Sequence, residues 1–65
     1  DLALTERYLR YLRSSMQVAV DQLQPFDEAY EATDWTEFEQ LPAFAAANRR
    51  NAYSVYLELE QESFD

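Results

Sequence analysis

The amino-acid sequence predicts an all-α fold. Two long antiparallel helices with two short helices at the bend would close residues 1–65 into a helical hairpin or small bundle. Three observations lead there. Glycine is absent, so hairpin turns and phosphate-cradling loops lack the residue that usually fills their left-handed positions. Apolar residues in the first and last thirds of the chain recur at steps of three and four, the period of one helix face. The two prolines, Pro25 and Pro42, stand where those patterns break; proline disfavours helix before it and is welcome in the first turn after it.

The first helix is expected from Thr5 to Gln24. Thr5 is an N-cap candidate, because its hydroxyl can accept a free first-turn N–H. Leu4 and Leu9 occupy the positions of a hydrophobic staple. Glu6 lies in the first turn, where the helix dipole favours an acid, and four residues before Arg10, the better order for a helical ion pair. Leu9, Leu12, Met16, Ala19 or Val20, and Leu23 make a core-facing stripe, widened by Tyr8 and Tyr11. A short helix follows over Phe26 to Thr33, with Phe26, Ala29 and Tyr30 on one side. Asp34 is a second N-cap candidate with Glu37 in capping-box spacing, ahead of an apolar face of Trp35, Phe38 and Leu41. The last helix is expected from Pro42 to Glu62, with Pro42 in its first turn. Phe44, Ala45, Ala52, Val55, Tyr56 and Leu59 share its inner side. Ala43, Ala45, Ala46 and Ala47 favour helix and permit close backbone approach. Ser63, Phe64 and Asp65 are expected to fray.

A domain of 65 residues buries only about 60% of the surface its unfolded chain exposes, so this unit gains from docking onto something larger. A hydrophobic share of 48% is too high for a disordered acidic tail, and the aromatic share of 15% points to packing faces or interfaces. Histidine and cysteine are both absent. The chain therefore lacks the usual nitrogen and sulfur metal ligands, the usual neutral-pH base and the most reactive nucleophile. No catalytic residue, metal ligand or cofactor contact is expected within it. The net charge of −8 repels nucleic-acid phosphate and anionic membrane and suits a basic protein partner. No run approaches the roughly 20 apolar residues needed to span a bilayer. The sequence opens on Asp1 without Met, and the expectation is a fragment or processed product of a longer protein.

Five constellations bear on chemistry. Asp27, Glu28, Glu31, Asp34, Glu37 and Glu39 offer oxygen ligands for calcium or magnesium, but without the alternating spacing and turn glycine of a calcium loop; a solvated acidic face is the simpler reading. Glu58 and Glu62 share a helix face but belong to an exposed helix end. Arg7, Arg10 and Arg13 step by three and are expected to pair with acids of this chain or a neighbour. Asn48, Arg49, Arg50 and Asn51 sweep a whole helical turn, so at least one must point near the apolar stripe. Neither arginine has an acid three or four residues away, which sends their partners to the Asp27–Glu39 region or to another protein. Tyr8, Tyr11, Tyr30, Trp35, Phe38, Phe44, Tyr53 and Tyr56 are read as core or interface ahead of a ligand groove. Trp35, Phe44, Asn51, Val55 and Leu59 are the candidate packing residues; Arg49, Arg50 and Asn51 are the candidate polar docking patch.

One set of residues carries a resemblance. Thr5, the run Tyr8-Leu9-Arg10-Tyr11-Leu12-Arg13, Asp34-Trp35 with Phe38, Leu41-Pro42 with Phe44, and the tail Arg50-Asn51-Ala52-Tyr53-Ser54-Val55-Tyr56-Leu57-Glu58-Leu59-Glu60 together resemble the bacterial C-terminal helical extension of metallo-β-lactamase-fold zinc hydrolases of the quinoprotein relay type. The resemblance covers most of the chain. It implies a helical accessory domain that packs on the catalytic domain of the same parent protein and contributes to assembly, a homo-oligomer included. The family's His-x-His-x-Asp-His chemistry has no matching position in this histidine-free chain, so no catalytic role is carried over. Pro25-Phe26 stands where that pattern carries glycine. The alternative reading is a free-standing acidic helical adaptor or inhibitor that binds a basic protein.

Overall fold

The computed structural model describes residues 2–64, and every regular element among them is helical. Helix α1 spans Leu2–Asp21, α2 Phe26–Ala32 and α3 Phe44–Glu62, with a single 3₁₀ turn at Thr36–Phe38 between the last two. The all-α class and the small bundle are as the sequence predicts.

Helix α1 begins three residues ahead of Thr5. Leu2, Ala3 and Leu4 are strong helix formers, and they extend the helix backward past the capping signal. Thr5 therefore lies inside the helix, and Leu9, far from stapling its start, is 55% exposed. The buried stripe is Tyr8, Leu12, Met16, Ala19 and Val20. Tyr8 takes the place expected of Leu9 because its ring has partners there: it meets Phe38 edge-on at 5.5 Å and Phe44 at 6.4 Å.

Helix α1 ends at Asp21, ahead of the expected Gln24. The Gln24 N–H donates to the Ala19 carbonyl at 2.8 Å and the Leu23 N–H to the Val20 carbonyl at 3.1 Å. This paired closure is a Schellman motif, which needs a left-handed residue and usually has glycine there. In a glycine-free chain Leu23 supplies it, at φ 57°. The reversal turns Leu23 out of the core stripe, and it is 89% exposed.

Pro25 then caps α2, with Asp27 and Glu28 in its first turn, where the helix dipole favours acids. At the other end the Thr33 hydroxyl donates to the Ala29 carbonyl at 2.7 Å. The Asp34 carboxylate accepts the Thr36 N–H at 3.0 Å and the Thr36 hydroxyl at 2.6 Å, opening the 3₁₀ turn. Glu37 does not reciprocate as a capping box; it pairs with Arg7 at 3.0 Å. Helix α3 starts at Phe44, so Pro42 lies in the preceding turn. Ala43, left-handed at φ 62°, offers its carbonyl to the N–H groups of Ala46 and Ala47 at 3.2 and 3.0 Å. At the C-terminus the Ser63 hydroxyl donates to the Glu60 carbonyl and Phe64 is exposed; the expected fraying of Asp65 lies outside the described residues.

The mutual direction of the long helices differs from a hairpin. Tyr8, early in α1, bonds Asn48, early in α3; Tyr56, late in α3, bonds Gln24, just beyond the end of α1. Like ends lie together, so α1 and α3 run in the same sense. The segment between them, with α2 and the 3₁₀ turn, is long enough to carry the chain back along the bundle. It acts as a broken third strut instead of a bend. Phe38, on that return segment, is the largest wholly buried side chain and closes the core formed by α1 and α3.

Candidate functional site

The polar block at the start of α3 resolves into four different environments. Asn48 is the residue that faces inward, 1% exposed. Its Oδ1 accepts the Tyr8 hydroxyl at 2.6 Å, and its Nδ2 donates to the Tyr30 hydroxyl oxygen at 3.2 Å. One amide thus joins α1, α2 and α3. Burying an amide is tolerated when it is hydrogen-bonded, and among the described residues no buried side-chain nitrogen or oxygen lacks a partner. Asn51, the asparagine expected to matter, is half-buried at the rim of a small recess bounded by Thr5, Tyr8, Leu41 and Phe44. Phe44, Asn48 and Ala52 already form an unbroken i, i+4 row on the inner face, and Asn48 is its middle member.

Arg49 meets the tertiary partner anticipated for it. Its Nη2 lies 2.6 Å from the Asp27 carboxylate, and its guanidinium sits over the Phe26 ring at 5.4 Å and the Tyr30 ring at 5.0 Å. Both charged groups are more than half exposed, so the ion pair contributes at most about 1 kcal/mol; stacking on two rings does as much to hold the side chain in place. Arg7, Arg10 and Arg13 pair with Glu37, Glu6 and Glu62 at 3.0, 4.0 and 3.5 Å. Arg50 makes no ion pair among the described residues.

Between α2 and α3 these side chains line an open groove formed by Pro25, Phe26, Asp27, Ala46, Arg49, Arg50 and Tyr53. The Phe26 and Tyr53 rings stand edge to face at 5.0 Å. Tyr53 is 48% exposed and Leu57, one turn further on, 43%. Of the two readings of Tyr53, core or interface, its exposure rules out the buried core. Its position follows from the period: Ala46, Arg50, Tyr53 and Leu57 recur at steps of four, three and four, the stripe opposite Asn48 and Ala52.

The remaining candidate packing residues serve this chain's own core. Trp35 lies half-buried against Tyr11 and Tyr30, at 5.9 and 5.4 Å, and its Nε1 donates to the Tyr30 carbonyl at 3.3 Å. Phe44 packs beside Tyr8 and Trp35, Val55 is half-buried and Leu59 is buried. The acidic run disperses: Asp27 engages Arg49, Glu37 engages Arg7 and Asp34 engages Thr36. Among the described residues no three acids gather as a metal site. The two hydrogen bonds from Thr36, side chain first and backbone second, hold the Asp34 carboxyl below its ordinary range. The Tyr56 hydroxyl donates to the Gln24 carbonyl at 2.8 Å. Burial above all, with Glu60 and Tyr53 nearby, pushes its ionisation above the ordinary tyrosine value. Among the described residues no helix is long and apolar enough to cross a membrane.

No protein-family model, curated protein or solved structure matches the chain.

Proposed function

We propose that this chain is a non-catalytic helical accessory module whose work is docking. One observation carries the reading. The side chains that sequence chemistry offered as functional are engaged in holding the bundle together, while α3 presents Arg50, Tyr53 and Leu57 outward on one stripe. Four arginines are paired, and the hydroxyls of Tyr8, Tyr11 and Tyr56 donate to Asn48 and to the carbonyls of Asp34 and Gln24. On that stripe stand a half-exposed aromatic, a leucine and a cation without an ion pair among the described residues, a composition that suits an interface. The resemblance of the Arg50–Glu60 tail supports the catalytic domain of a metallo-β-lactamase-fold zinc hydrolase, within the same parent protein, as the body it packs against. The coding DNA upstream of Asp1 tests this. An open frame encoding His-x-His-x-Asp-His between strand-like segments is the expected result; a start codon at the boundary overturns it.

A second reading rests on the outward acids. Glu28 and Glu31 border one exposed face with Gln24 and Ala32, and a basic protein would complement it. That reading requires binding that weakens steeply with salt, whereas packing through the Tyr53–Leu57 stripe is far less sensitive.

A further inference from the structure

We infer that the groove between α2 and α3 receives an acidic segment of a partner protein, with a carboxylate at Arg50 and an apolar side chain on the Phe26–Tyr53 edge. The inference rests on the docking reading above and names the chemistry of the occupant. Arg50 is the one arginine without an ion pair among the described residues, in a chain that has 13 acids for 5 bases. Where acids outnumber bases so heavily, a cation left without an intramolecular acid is a specific feature. It is also placed beside apolar surface, because Tyr53 lies three residues on, close to one turn along α3, and its ring abuts Phe26 at 5.0 Å.

The groove is held ready for such a ligand. Asp27, the only acid lining it among the described residues, is engaged by Arg49 at 2.6 Å, so its charge is offset locally. Arg49 itself is held over Phe26 and Tyr30. The guanidinium of Arg50 is the matching fork for a carboxylate, which it can grip through two parallel N–H donors. The chain's net charge of −8 opposes an anion at long range, but salt limits that field to about 8 Å at physiological ionic strength; contact chemistry at the groove then decides. A second copy of this chain is a poorer occupant. The stripe offers only Tyr53 and Leu57 as large exposed apolar groups, well short of the roughly 800 Å² per partner of a stable interface.

Three capped tripeptides test the inference: acetyl-Glu-Ala-Phe amide and its Gln-Ala-Phe and Lys-Ala-Phe counterparts. Each is titrated into the ¹⁵N-labelled 65-residue chain and followed by amide chemical shifts. The Glu peptide should move the amides of Phe26, Asp27, Arg50 and Tyr53, with the Gln peptide binding roughly fivefold more weakly and the Lys peptide more weakly still. Arg50→Gln, an exposed change that leaves the bundle folded, should erase the preference for Glu over Gln, and Arg50→Lys should keep part of it. Equal binding of all three peptides, shifts confined to other residues, or no shift at all overturns the inference. So does movement of the same amides with the chain's own concentration, which would assign the groove to a second copy. These outcomes do not depend on what lies upstream of Asp1, so the inference can fail while the accessory-module reading stands, and the reverse.

Discussion

The Tyr8 hydroxyl donates to the Asn48 side-chain oxygen across 2.6 Å, and this buried bond fixes the register of α1 on α3. Its worth is best measured through its removal. Asn48→Ala strands two hydroxyls, those of Tyr8 and Tyr30, and should cost about 1–3 kcal/mol in urea unfolding. Tyr8→Phe removes one partner of the amide oxygen and should cost less. In a double-mutant cycle with Asn48→Leu and Tyr8→Phe the two losses should be less than additive, because removing both ends of the Tyr8–Asn48 bond leaves only the Tyr30 hydroxyl without its amide partner. Strict additivity would show the bond to be incidental.

Two left-handed residues carry side chains that the backbone would rather do without. Leu23 and Ala43 sit at φ 57° and 62°, where a Cβ costs roughly 1–2 kcal/mol. Leu23→Gly gives up no packing, since the side chain is 89% exposed. Each glycine also adds freedom to the unfolded chain, which offsets part of the gain. The expected result is about 1 kcal/mol of added stability for each, a melting temperature higher by roughly 4–8 °C. A fall in melting temperature for Leu23→Gly would mean that the Schellman closure of α1 is not formed in solution.

These same two positions show where sequence reading reached and where it stopped. Helix existence was legible, because period and proline placement are local properties. The composition shows no glycine, but not that Leu23 and Ala43 would take glycine's place at the helix ends, because that depends on how the chain must turn to bring α3 beside α1. The direction of the return segment was equally hidden: a hairpin and a broken three-strut bundle have the same helical periods. In the polar block the rule that one residue must face inward was sound. The choice between Asn48 and Asn51 was settled by Tyr8 and Tyr30, which come from distant parts of the chain. The pairing of Arg49 with Asp27 was legible as a region, since no acid lay within reach on its own helix. Arg50, one residue on, shares that sequence logic yet lies about 100° further round α3 and meets no acid among the described residues, which only the packed bundle reveals.

Asn51 gives a prediction that runs against its sequence prominence. It is half-buried at the rim of the recess beside Tyr8 and Phe44, while Asn48 makes the interior bonds. Asn51→Ala should therefore leave stability within about 0.5 kcal/mol of the parent, measured beside Asn48→Ala under the same conditions. A loss of 1 kcal/mol or more would give Asn51 a partner of its own.

Two groups have their ionisation moved from its ordinary range by the fold. The Asp34 carboxyl is held below its ordinary range by Thr36, so the folded state binds its proton less readily than the unfolded chain does. Its contribution is complete above the ordinary carboxylate pKa of about 4 and is lost as pH falls through the lowered value. Tyr56 behaves in the opposite sense. Its ionisation is raised by burial, so its contribution is complete below about pH 10 and is lost as pH rises through the raised value, when the phenolate can no longer donate to Gln24. Tyr56→Phe should lower stability at neutral pH and flatten the alkaline limb of a melting-temperature profile. An alkaline limb unchanged by the substitution would place the titrating group elsewhere.

Salt distinguishes the weight of the ion pairs from that of the net charge. All four pairs join groups that are more than half exposed, and such pairs are worth little and are screened. The net charge of −8 on 65 residues is a self-repulsion that favours the expanded chain. Raising ionic strength from about 0.1 to about 1 M shortens the screening length from about 10 to about 3 Å and weakens both. Because acids exceed bases by so much, relief of repulsion should win, and the melting temperature should rise with sodium chloride. Arg49→Gln should steepen that rise, since it leaves Asp27 unpaired beside Glu28 and adds to the repulsion that salt relieves. A melting temperature that falls with salt would mean that the bridges from Arg7, Arg13 and Arg49 hold the struts together more strongly than their exposure allows.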